Sequence, residues 1–243
     1  MNNLKQEAAK AALQLLEPDQ LIGLGVGSTI AYFIALIASS VSFKSSLKFT
    51  SPSLETKMLL KENGLICIDD STITALDYYF DSCDQVDSHL NAFKSGGGVH
   101  TGEKIMANMA KQFILLVDGP KMVEKLTTQH PLCVEIIPEA WLSVYKKLNS
   151  SYSTAISEIA LRKSEQKSGP LLSERGNFLA DIYFSKLPDI LDLNKQIKHI
   201  TGVVEHSLFY QLCSLCLLAT EDGVTHLFAN RVGESKTDRE TTK

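Results

Sequence analysis

The 243-residue sequence lacks any run of basic residues and any disulfide-type pattern of cysteines. Lys and Arg number 24 against 28 for Asp and Glu, a formal net charge of −4, so the chain has no footprint for a phosphodiester backbone. We therefore expect no nucleic-acid partner. The five cysteines are odd in number and scattered through apolar segments, which indicates reduced thiols rather than a disulfide framework.

Metal-ligand spacing is missing from the sequence as well. Cys213 and Cys216 form a CxxC, but the surrounding "LCSLCLLA" is typical of a buried strand, and no second CxxC or nearby His completes a zinc set. His100 lies inside a glycine-rich loop, where we expect it to be exposed to solvent, and contact with a ligand is the alternative. The sequence predicts no metal centre and no redox motif.

An uninterrupted membrane-spanning run is also missing. Residues 21–43, "LIGLGVGSTIAYFIALIASSVSF", carry no charge over a length that could span a bilayer. Gly23, Gly25 and Gly27 break the first part, so a strand, a glycine turn and a buried helix fit the segment better. Acidic residues precede it and no cleavage pattern follows, which is not typical of a secretory signal. We expect a cytoplasmic protein with no membrane partner.

What the chain does contain is a regular alternation of strands and helices. After the amphipathic helix "LKQEAAKAALQLL", the strand-like segments are "LIGLG", "LKFT", "LICID", "LDYYF", "FILLVD" and "CVEIIP". The helical segments between them are "TIAYFIALIA", "SLETKMLLKENG" and "EKIMANMAKQ", and "KMVEKL" is expected to form a helical turn or two. The alternation predicts an α/β fold with a Rossmann-like, largely parallel sheet and helices on both faces.

A smaller α+β unit follows in the sequence. The helical segments "EAWLSVYKKL" and "LPDILDLNKQIKH" alternate with short strands, and the hydrophobic strands "LCLLAT" and "VTHLFA" then form a hairpin through "EDG". We predict an α/β catalytic domain over residues 1–130 and 206–232. A ferredoxin-like α+β domain is expected over residues 131–205, and a disordered polar tail over residues 233–243.

The first of two glycine-rich loops is "GLGVGST", between a predicted strand and a predicted helix. Backbone amides at a helix N-terminus, glycines that allow close approach and the hydroxyls of Ser28 and Thr29 together suit a phosphate group. The loop has no Walker lysine, and its spacing departs from the dinucleotide pattern. A tight turn capped by Ser28 is the structural alternative.

The second loop, "KSGGGVHTGEK", contains three consecutive glycines and opens toward a predicted helix. Its glycines are Gly96, Gly97 and Gly98. Backbone donors there are suited to an anion or a polar ligand. Glu103 lies near the helix N-terminus, where we expect the helix dipole to lower its pKa and favour a ready carboxylate base.

Carboxylates also cluster just before this loop. Asp81 and Asp84 follow a predicted strand, and like charges so close together can raise one pKa and keep a proton available for transfer. Lys94 supplies a compensating cation. A solvated acidic loop that only caps neighbouring helices is the alternative for Asp84, and it is the preferred interpretation of Asp87.

Taken together, these segments resemble the ribose-5-phosphate isomerase A family. "GLGVGSTIAYFI" is similar to the family's GxGTGST loop and helix, and "DSCDQVDSHLNAFKSGGGVHTGEKI" to its DGADEVD, KGGGG and REKI core. "LLVDGPKMVEKL", "PLCVEIIPEAW", "GPLLSERGNFLADIYF" and "ITGVVEHSLF" match later family blocks in order. Several motifs in register are far more specific than either loop alone.

The resemblance implies that ribose 5-phosphate and ribulose 5-phosphate are interconverted through an enediolate, with no metal or organic cofactor. Glu103 would be the base that moves a proton between C1 and C2 of the sugar. Asp81 would open the ring and handle protons at the oxygens with Asp84 beside it, and Lys94 would hold the hydroxyls or the developing negative charge. The implied substrate-binding residues are Lys5, Gly25, Gly27, Ser28, Thr29, Gly96, Gly97, Gly98 and Lys121.

The resemblance further implies an enzyme of the pentose phosphate pathway whose smaller domain serves as lid and oligomer contact, in a homodimer or homotetramer. Several supporting positions depart from the family pattern, namely Val26, Ser82, Cys83, Gln85, Ser95 and Gly102. The charged residues expected to carry out the chemistry are all present, so we expect activity to survive. The alternatives are an isomerase of another sugar phosphate and a catalytically weak sugar-phosphate sensor.

Overall fold

The structure is a computed structural model that describes residues 4–164 and 167–229. The helices are α1 (Leu4–Leu13), α2 (Ser28–Ser40), α3 (Leu54–Glu62), α4 (His100–Met109), α5 (Trp141–Ser151) and α6 (Ile190–Lys198). Short 3₁₀ helices cover Asp70–Thr72, Gly119–Lys121 and Pro138–Ala140. The predicted tail, residues 233–243, lies outside the described residues.

The strands form four sheets. They are β1 (Leu21–Leu24), β2 (Lys48–Thr50), β3 (Leu76–Asp81), β4 (Gln85–Val86), β5 (Ala92–Phe93), β6 (Ala110–Asp118), β7 (Leu132–Ile136), β8 (Ile156–Leu161), β9 (Lys163–Ser164), β10 (Lys167–Pro170), β11 (Phe178–Phe184), β12 (Val203–His206), β13 (Leu208–Phe209), β14 (Leu215–Thr220) and β15 (Gly223–Phe228). Residues 21–43 thus form a strand, a glycine turn and a helix, as predicted.

The largest sheet has the order β15-β14-β6-β3-β1-β2 and is parallel except for the β14–β15 hairpin. Side chains alternate across β6, as a strand buried on both faces requires. Ile114 and Leu116 pack with α1 and α2, whereas Leu115 and Val117 pack with α4 on the other face. The predicted Rossmann-like sheet with helices on both faces is confirmed.

The second sheet has the order β12-β7-β11-β8 and is antiparallel throughout. Helices α5 and α6 pack on it through Val144, Leu148, Leu193 and Ile197. Along the chain the elements follow one another as β7, α5, β8, β11, α6 and β12, which is the ferredoxin-like arrangement predicted for the smaller unit. The domain boundaries at residues 131 and 205 stay a prediction.

Two segments differ from the sequence-based expectation. "LICID" is not a strand: it makes a single bridge, Phe49 to Cys67, because Asp69 accepts the Ser71 amide at 2.9 Å and turns the chain away from the sheet. "KMVEKL" is not helical beyond Lys121, since the Val123 amide donates at 2.9 Å to the Val86 carbonyl instead of to its own turn.

The topology brings the chemically interesting segments to one edge of the large sheet. The loop after β1 and the end of β3 lie side by side there, and the small three-stranded sheet β13-β5-β4 carries the segment that leads into the second glycine loop. This is the carboxyl edge of parallel strands, where open α/β sheets bind ligands. Among the described residues, no helix combines the length and apolarity that a bilayer crossing needs.

Candidate active site

Three buried charged side chains meet beyond β3. Lys94 Nζ lies 2.8 Å from Oδ2 of Asp81 and 3.3 Å from Oε1 of Glu103. The Tyr79 hydroxyl donates to Asp81 Oδ2 at 2.5 Å, and the Ser82 amide donates to Asp81 Oδ1 at 2.7 Å. A buried ion pair is stable only when its remaining hydrogen-bonding capacity is satisfied, and here both oxygens of Asp81 have partners. The cluster therefore holds two carboxylates and one cation in fixed geometry.

The electrostatics of Glu103 differ from the prediction made from its helix position. Burial, reinforced by the negative charge of Asp81, raises the pKa of Glu103 to about 8 even though Lys94 opposes the shift. The expected lowering by the helix dipole is wrong, because desolvation of a fully buried carboxylate outweighs a dipole effect. Burial alone would lower the pKa of Lys94, but the two carboxylates outweigh burial and keep it cationic.

This raised pKa predicts a distinctive pH dependence if Glu103 acts as a base. The base must be deprotonated, so kcat/KM for the substrate should rise with pH and level off above about pH 8. The measurement is kcat/KM across the neutral and mildly alkaline range. A phosphate monoester itself titrates near about pH 6. A profile whose only transition lies near about pH 6, where the substrate phosphate titrates, would contradict the raised pKa of Glu103.

A cavity of about 280 Å³ opens next to the cluster. Its lining residues are Val26, Gly27, Ser28, Ser82, Cys83, Asp84, Lys94, Gly96, Gly97, Glu103 and Lys121. The two glycine loops and the carboxylate segment thus face one space, as the sequence patterns indicated. Asp81 lies behind Lys94, fully buried, and reaches the cavity through that ion pair.

The aspartates beyond Asp81 have different surroundings. Asp84 accepts the amides of Ser95 and Gly96 through Oδ2, at 2.6 and 2.9 Å, and also lines the cavity. It therefore joins the second glycine loop to the candidate site and is not a merely solvated residue. Asp87 accepts the amides of His89 and Asn91, both at 2.9 Å, so it has a structural role in the turn before β5. The expected solvated residue that caps a helix is wrong at this position, because Asp87 is buried.

The first glycine loop provides the other end of the cavity. Gly27, at φ 117°, is the N-cap of α2, and no side-chain cap bond is formed, so the alternative of a turn capped by Ser28 is not supported. The Ser28 hydroxyl instead accepts from Lys5 Nζ at 2.9 Å. Lys121 also borders the cavity and pairs with Asp118 at 3.1 Å. A helix N-terminus with cations nearby is a suitable site for an anion.

Other predicted site residues lie outside this lining. Thr29 is buried in α2, and Lys5 reaches the loop only through Ser28. Gly98 lines a neighbouring cavity of about 230 Å³. Gly25 supports Asp81 rather than the cavity: a Cβ at Gly25 would lie 2.0 Å from Asp81 Cγ and Oδ1, so only glycine leaves room for that carboxylate.

His100 is placed differently from the expectation. Helix α4 begins at His100, which is fully buried, and its Nε2 lies 3.3 Å from the carbonyl oxygen of Glu205. Burial lowers its pKa to about 4, so the ring is neutral at physiological pH. The predicted solvent exposure is wrong, because the second sheet covers this side of the helix, where Thr101 donates to Glu135.

The departures from the family pattern are accommodated in the structure. A Cβ at Gly102 would lie 2.6 Å from Pro52 Cβ and 3.0 Å from a terminal nitrogen of Arg175, so the Arg175 guanidinium occupies the space beside this glycine. Ser95 Oγ donates at 2.5 Å to the Pro131 carbonyl, and Gln85 donates to Thr127 at 3.0 Å. Within the described residues, no group of three or more metal-binding side chains is placed to hold an ion.

Two supporting residues of the site were not identified from the sequence. Tyr79, which donates a hydrogen bond to Asp81, has the pattern of an apolar residue of β3. Its spacing of two residues from Asp81 places both side chains on one face of the strand, and this spacing could have identified the contact. Arg162 donates to the carbonyls of Ser95 and Gly96 from the end of β8. No local pattern connects Arg162 with the glycine loop, because the contact is purely tertiary.

Comparison with known proteins identifies the family. The family model of ribose 5-phosphate isomerase A (phosphoriboisomerase A) matches residues 48–223. Ribose-5-phosphate isomerase A of Pyrococcus abyssi is 35% identical over 229 residues, which covers 93% of this chain and 98% of that protein. The chain belongs to the ribose-5-phosphate isomerase A family. The resemblance seen in the sequence motifs is thereby confirmed, and the chain belongs among aldose-ketose isomerases.

Solved structures of the family superpose along nearly the whole chain. A D-ribose-5-phosphate isomerase in complex with phospho-erythronic acid gives a TM-score of 0.86 at 35% identity, covering 94% of this chain and 100% of that one. Ribose 5-phosphate isomerase A of Methanocaldococcus jannaschii gives 0.85 at 33% identity, covering 93% and 98%. The sheet topology and the arrangement of the two units are therefore those of the family.

Proposed function

We propose that this chain interconverts ribose 5-phosphate and ribulose 5-phosphate by carboxylate acid/base catalysis. The observation that carries the proposal is the buried Asp81–Lys94–Glu103 cluster at the wall of the cavity. A carboxyl group with a pKa of about 8 can both accept and return a proton near neutral pH. Such a group is what a proton shift between two neighbouring carbon atoms requires.

In the open-chain aldose, Glu103 removes the proton from C2, and the C–H electron pair forms the C1=C2 bond of an enediolate. The carbonyl electron pair moves onto the C1 oxygen, where negative charge develops. Lys94, cationic and fixed by Asp81, stabilises that charge. The C2 hydroxyl proton then moves to the C1 oxygen. The electron pair left on the C2 oxygen forms the C2 carbonyl, and the C1=C2 electron pair takes the proton back from Glu103 at C1, which gives the ketose. Asp81 and Asp84 assist ring opening and proton transfer at the oxygens.

We propose that the phosphate group binds at the opposite end of the cavity. The amides at the start of α2, the hydroxyl of Ser28 and the cation of Lys121 supply donors and positive charge there. Lys5 supports Ser28, and Gly27 allows a close approach of the backbone. Gly96 and Gly97 then border the sugar hydroxyls. The proposed reaction needs neither an organic cofactor nor a metal.

We further propose a cytoplasmic enzyme of the pentose phosphate pathway that forms a homodimer or homotetramer, with the second-sheet unit as lid and oligomer contact. The names of the relatives support the pathway. Size-exclusion chromatography with light scattering distinguishes the two assemblies. The sensor alternative and the isomerase of another sugar phosphate have no specific observation in their favour. Asp84, Lys94 and Glu103 line the cavity, and Asp81 is ion-paired with Lys94 behind its wall.

The direct test is the rate of ribulose 5-phosphate formation from ribose 5-phosphate by the purified protein in the presence of a chelator. We expect metal-independent turnover, because the described site relies on carboxylates and a lysine. Other aldopentose phosphates serve as the specificity control. A well-folded protein with no turnover on ribose 5-phosphate, or with faster turnover on another sugar phosphate, contradicts the proposal.

A further inference from the structure

Arg162 connects the second sheet with the second glycine loop. It follows β8, and its side chain is only 15% exposed. Its Nε and Nη2 donate to the two carboxylate oxygens of Asp181, each at 2.7 Å. The remaining donors bind the loop: Nη2 contacts the Ser95 carbonyl at 2.5 Å and Nη1 the Gly96 carbonyl at 3.1 Å. Asp181 therefore fixes the guanidinium on one side, and on the other side the guanidinium binds two backbone carbonyls of the second glycine loop.

The peptide unit between Ser95 and Gly96, which binds Arg162, also binds Asp84. The carbonyl of Ser95 accepts from Arg162, and the amide on the other side of that peptide bond, Gly96 N–H, donates to Asp84 Oδ2 at 2.9 Å. The Ser95 amide donates to the same oxygen at 2.6 Å. Hydrogen bonds in such a chain polarise one another, so the positive charge on the carbonyl side strengthens the amide as a donor.

The loop also packs closely against the second sheet at Gly98. A Cβ at Gly98, at φ +68°, would lie 2.6 Å from Leu179 Cδ1 and 3.1 Å from Arg162 Nη1. The loop therefore lies directly on β11 and on the guanidinium. Displacing Arg162 would open space there and leave two loop carbonyls without their donor. One of those carbonyls, that of Ser95, belongs to the peptide whose amide binds Asp84.

We propose that Arg162, oriented by Asp181, is a positioning residue that sets the place and hydrogen bonding of Asp84 through the 95–96 peptide. The inference rests on the proposed function in so far as Asp84 takes part in the reaction. Arginine is required by the geometry, because a planar fork binds a carboxylate and two carbonyls at once, whereas lysine offers a single point charge.

The test compares Arg162→Gln with Arg162→Lys and with the control Lys163→Gln, which removes the neighbouring positive charge from an exposed side chain. Small displacements of catalytic groups cost up to about 10²-fold in rate, so we expect Arg162→Gln to lower kcat roughly 10- to 100-fold with a smaller change in KM. Arg162→Lys should recover part of the loss. Lys163→Gln should match the wild type.

A double-mutant cycle with Asp84→Asn separates positioning from general destabilisation. If Arg162 acts through Asp84, adding Arg162→Gln to Asp84→Asn should cost less than about 3-fold in kcat. If Arg162→Gln lowers kcat by the same factor in the wild type and in Asp84→Asn, the inference is overturned. Arg162→Lys keeps the charge beside Asp181, so the cycle can be run with it if Arg162→Gln does not fold.

Backbone hydrogen exchange provides a readout that does not depend on turnover. The Ser95 and Gly96 amides should exchange faster in both Arg162→Gln and Asp84→Asn than in the wild type, while Lys163→Gln leaves them unchanged. Unchanged exchange in Arg162→Gln overturns the positioning role even if the protein is an active isomerase. Faster exchange in Arg162→Gln, beside a wild type that shows no turnover, would instead overturn the proposed function and leave the loop contact established.

Discussion

Replacing Glu103 by Gln should lower kcat by roughly 10²–10⁴-fold, the usual contribution of a positioned general base. The amide has nearly the same size as the carboxyl group and cannot accept a proton from carbon. The change leaves Lys94 and Asp81 in place, so substrate binding should change far less than kcat. The measurement is kcat and KM for ribose 5-phosphate beside Glu139→Gln, which makes the same chemical change at a carboxylate outside the cavity lining.

The same substitution has a predictable effect on stability. The folded-state pKa of Glu103 is raised, so its contribution to stability is fully present below the ordinary glutamate pKa of 4.5 and is lost as pH rises through about 8. A glutamine side chain cannot ionise and should not show that loss. Glu103→Gln should therefore unfold at a higher denaturant concentration than the wild type above about pH 8. Retained turnover, or a loss of stability at every pH, would contradict the assigned role.

Gly25→Ala should be the second most damaging change, with kcat reduced about 10²-fold. The new methyl group would lie 2.0 Å from two atoms of the Asp81 carboxyl group, a distance that no packed structure tolerates. Asp81 would have to leave its bonds to Tyr79 and Lys94, and Lys94 would lose its anchor beside Glu103. Steady-state kinetics and a denaturation curve measure the two consequences.

A matched glycine provides the control for this prediction. A Cβ at Gly119 would meet nothing closer than 3.6 Å, so Gly119→Ala should behave as the wild type. Combining Gly25→Ala with Asp81→Ala removes the carboxyl group that causes the clash, so the loss of stability due to Gly25→Ala should disappear in that background. If Gly25→Ala were fully active, the close fit between the first loop and Asp81 would not matter for catalysis.

The fold and most of the residues that form the site could be predicted from the sequence, because both depend on local patterns. Strands that alternate with helices form a parallel sheet, and the loops after these strands lie at its carboxyl edge. The location of Asp81, Asp84 and the two glycine loops at that edge could therefore be predicted. The predictions for residues 65–69 and 121–126 were wrong because side-chain turns and pairing with β4 replaced the local preference.

The electrostatics of the site could not be read in the same way. The pKa of Glu103 depends on how completely distant segments exclude water from it, and the sequence shows only its helix position. The contact of Arg162 with the loop arises from a different sheet, and a lone arginine after a strand ordinarily predicts a solvated side chain. Burial of His100 has the same origin, since β12 covers the start of α4.

The position of β14 in the large sheet has a consequence for how the chain reaches its folded state. Ile114 of β6 pairs with Leu215 of β14, and the whole second sheet lies between them in the sequence. A nascent chain that has emerged only as far as β12 carries β6 with an unpaired apolar edge, and part of the surface of α1 is uncovered. Pairing so distant in sequence is slow, and exposed strand edges favour association between chains. Strands β14 and β15 therefore complete one side of the large sheet, and truncation just before them should yield an aggregating polypeptide rather than a smaller enzyme.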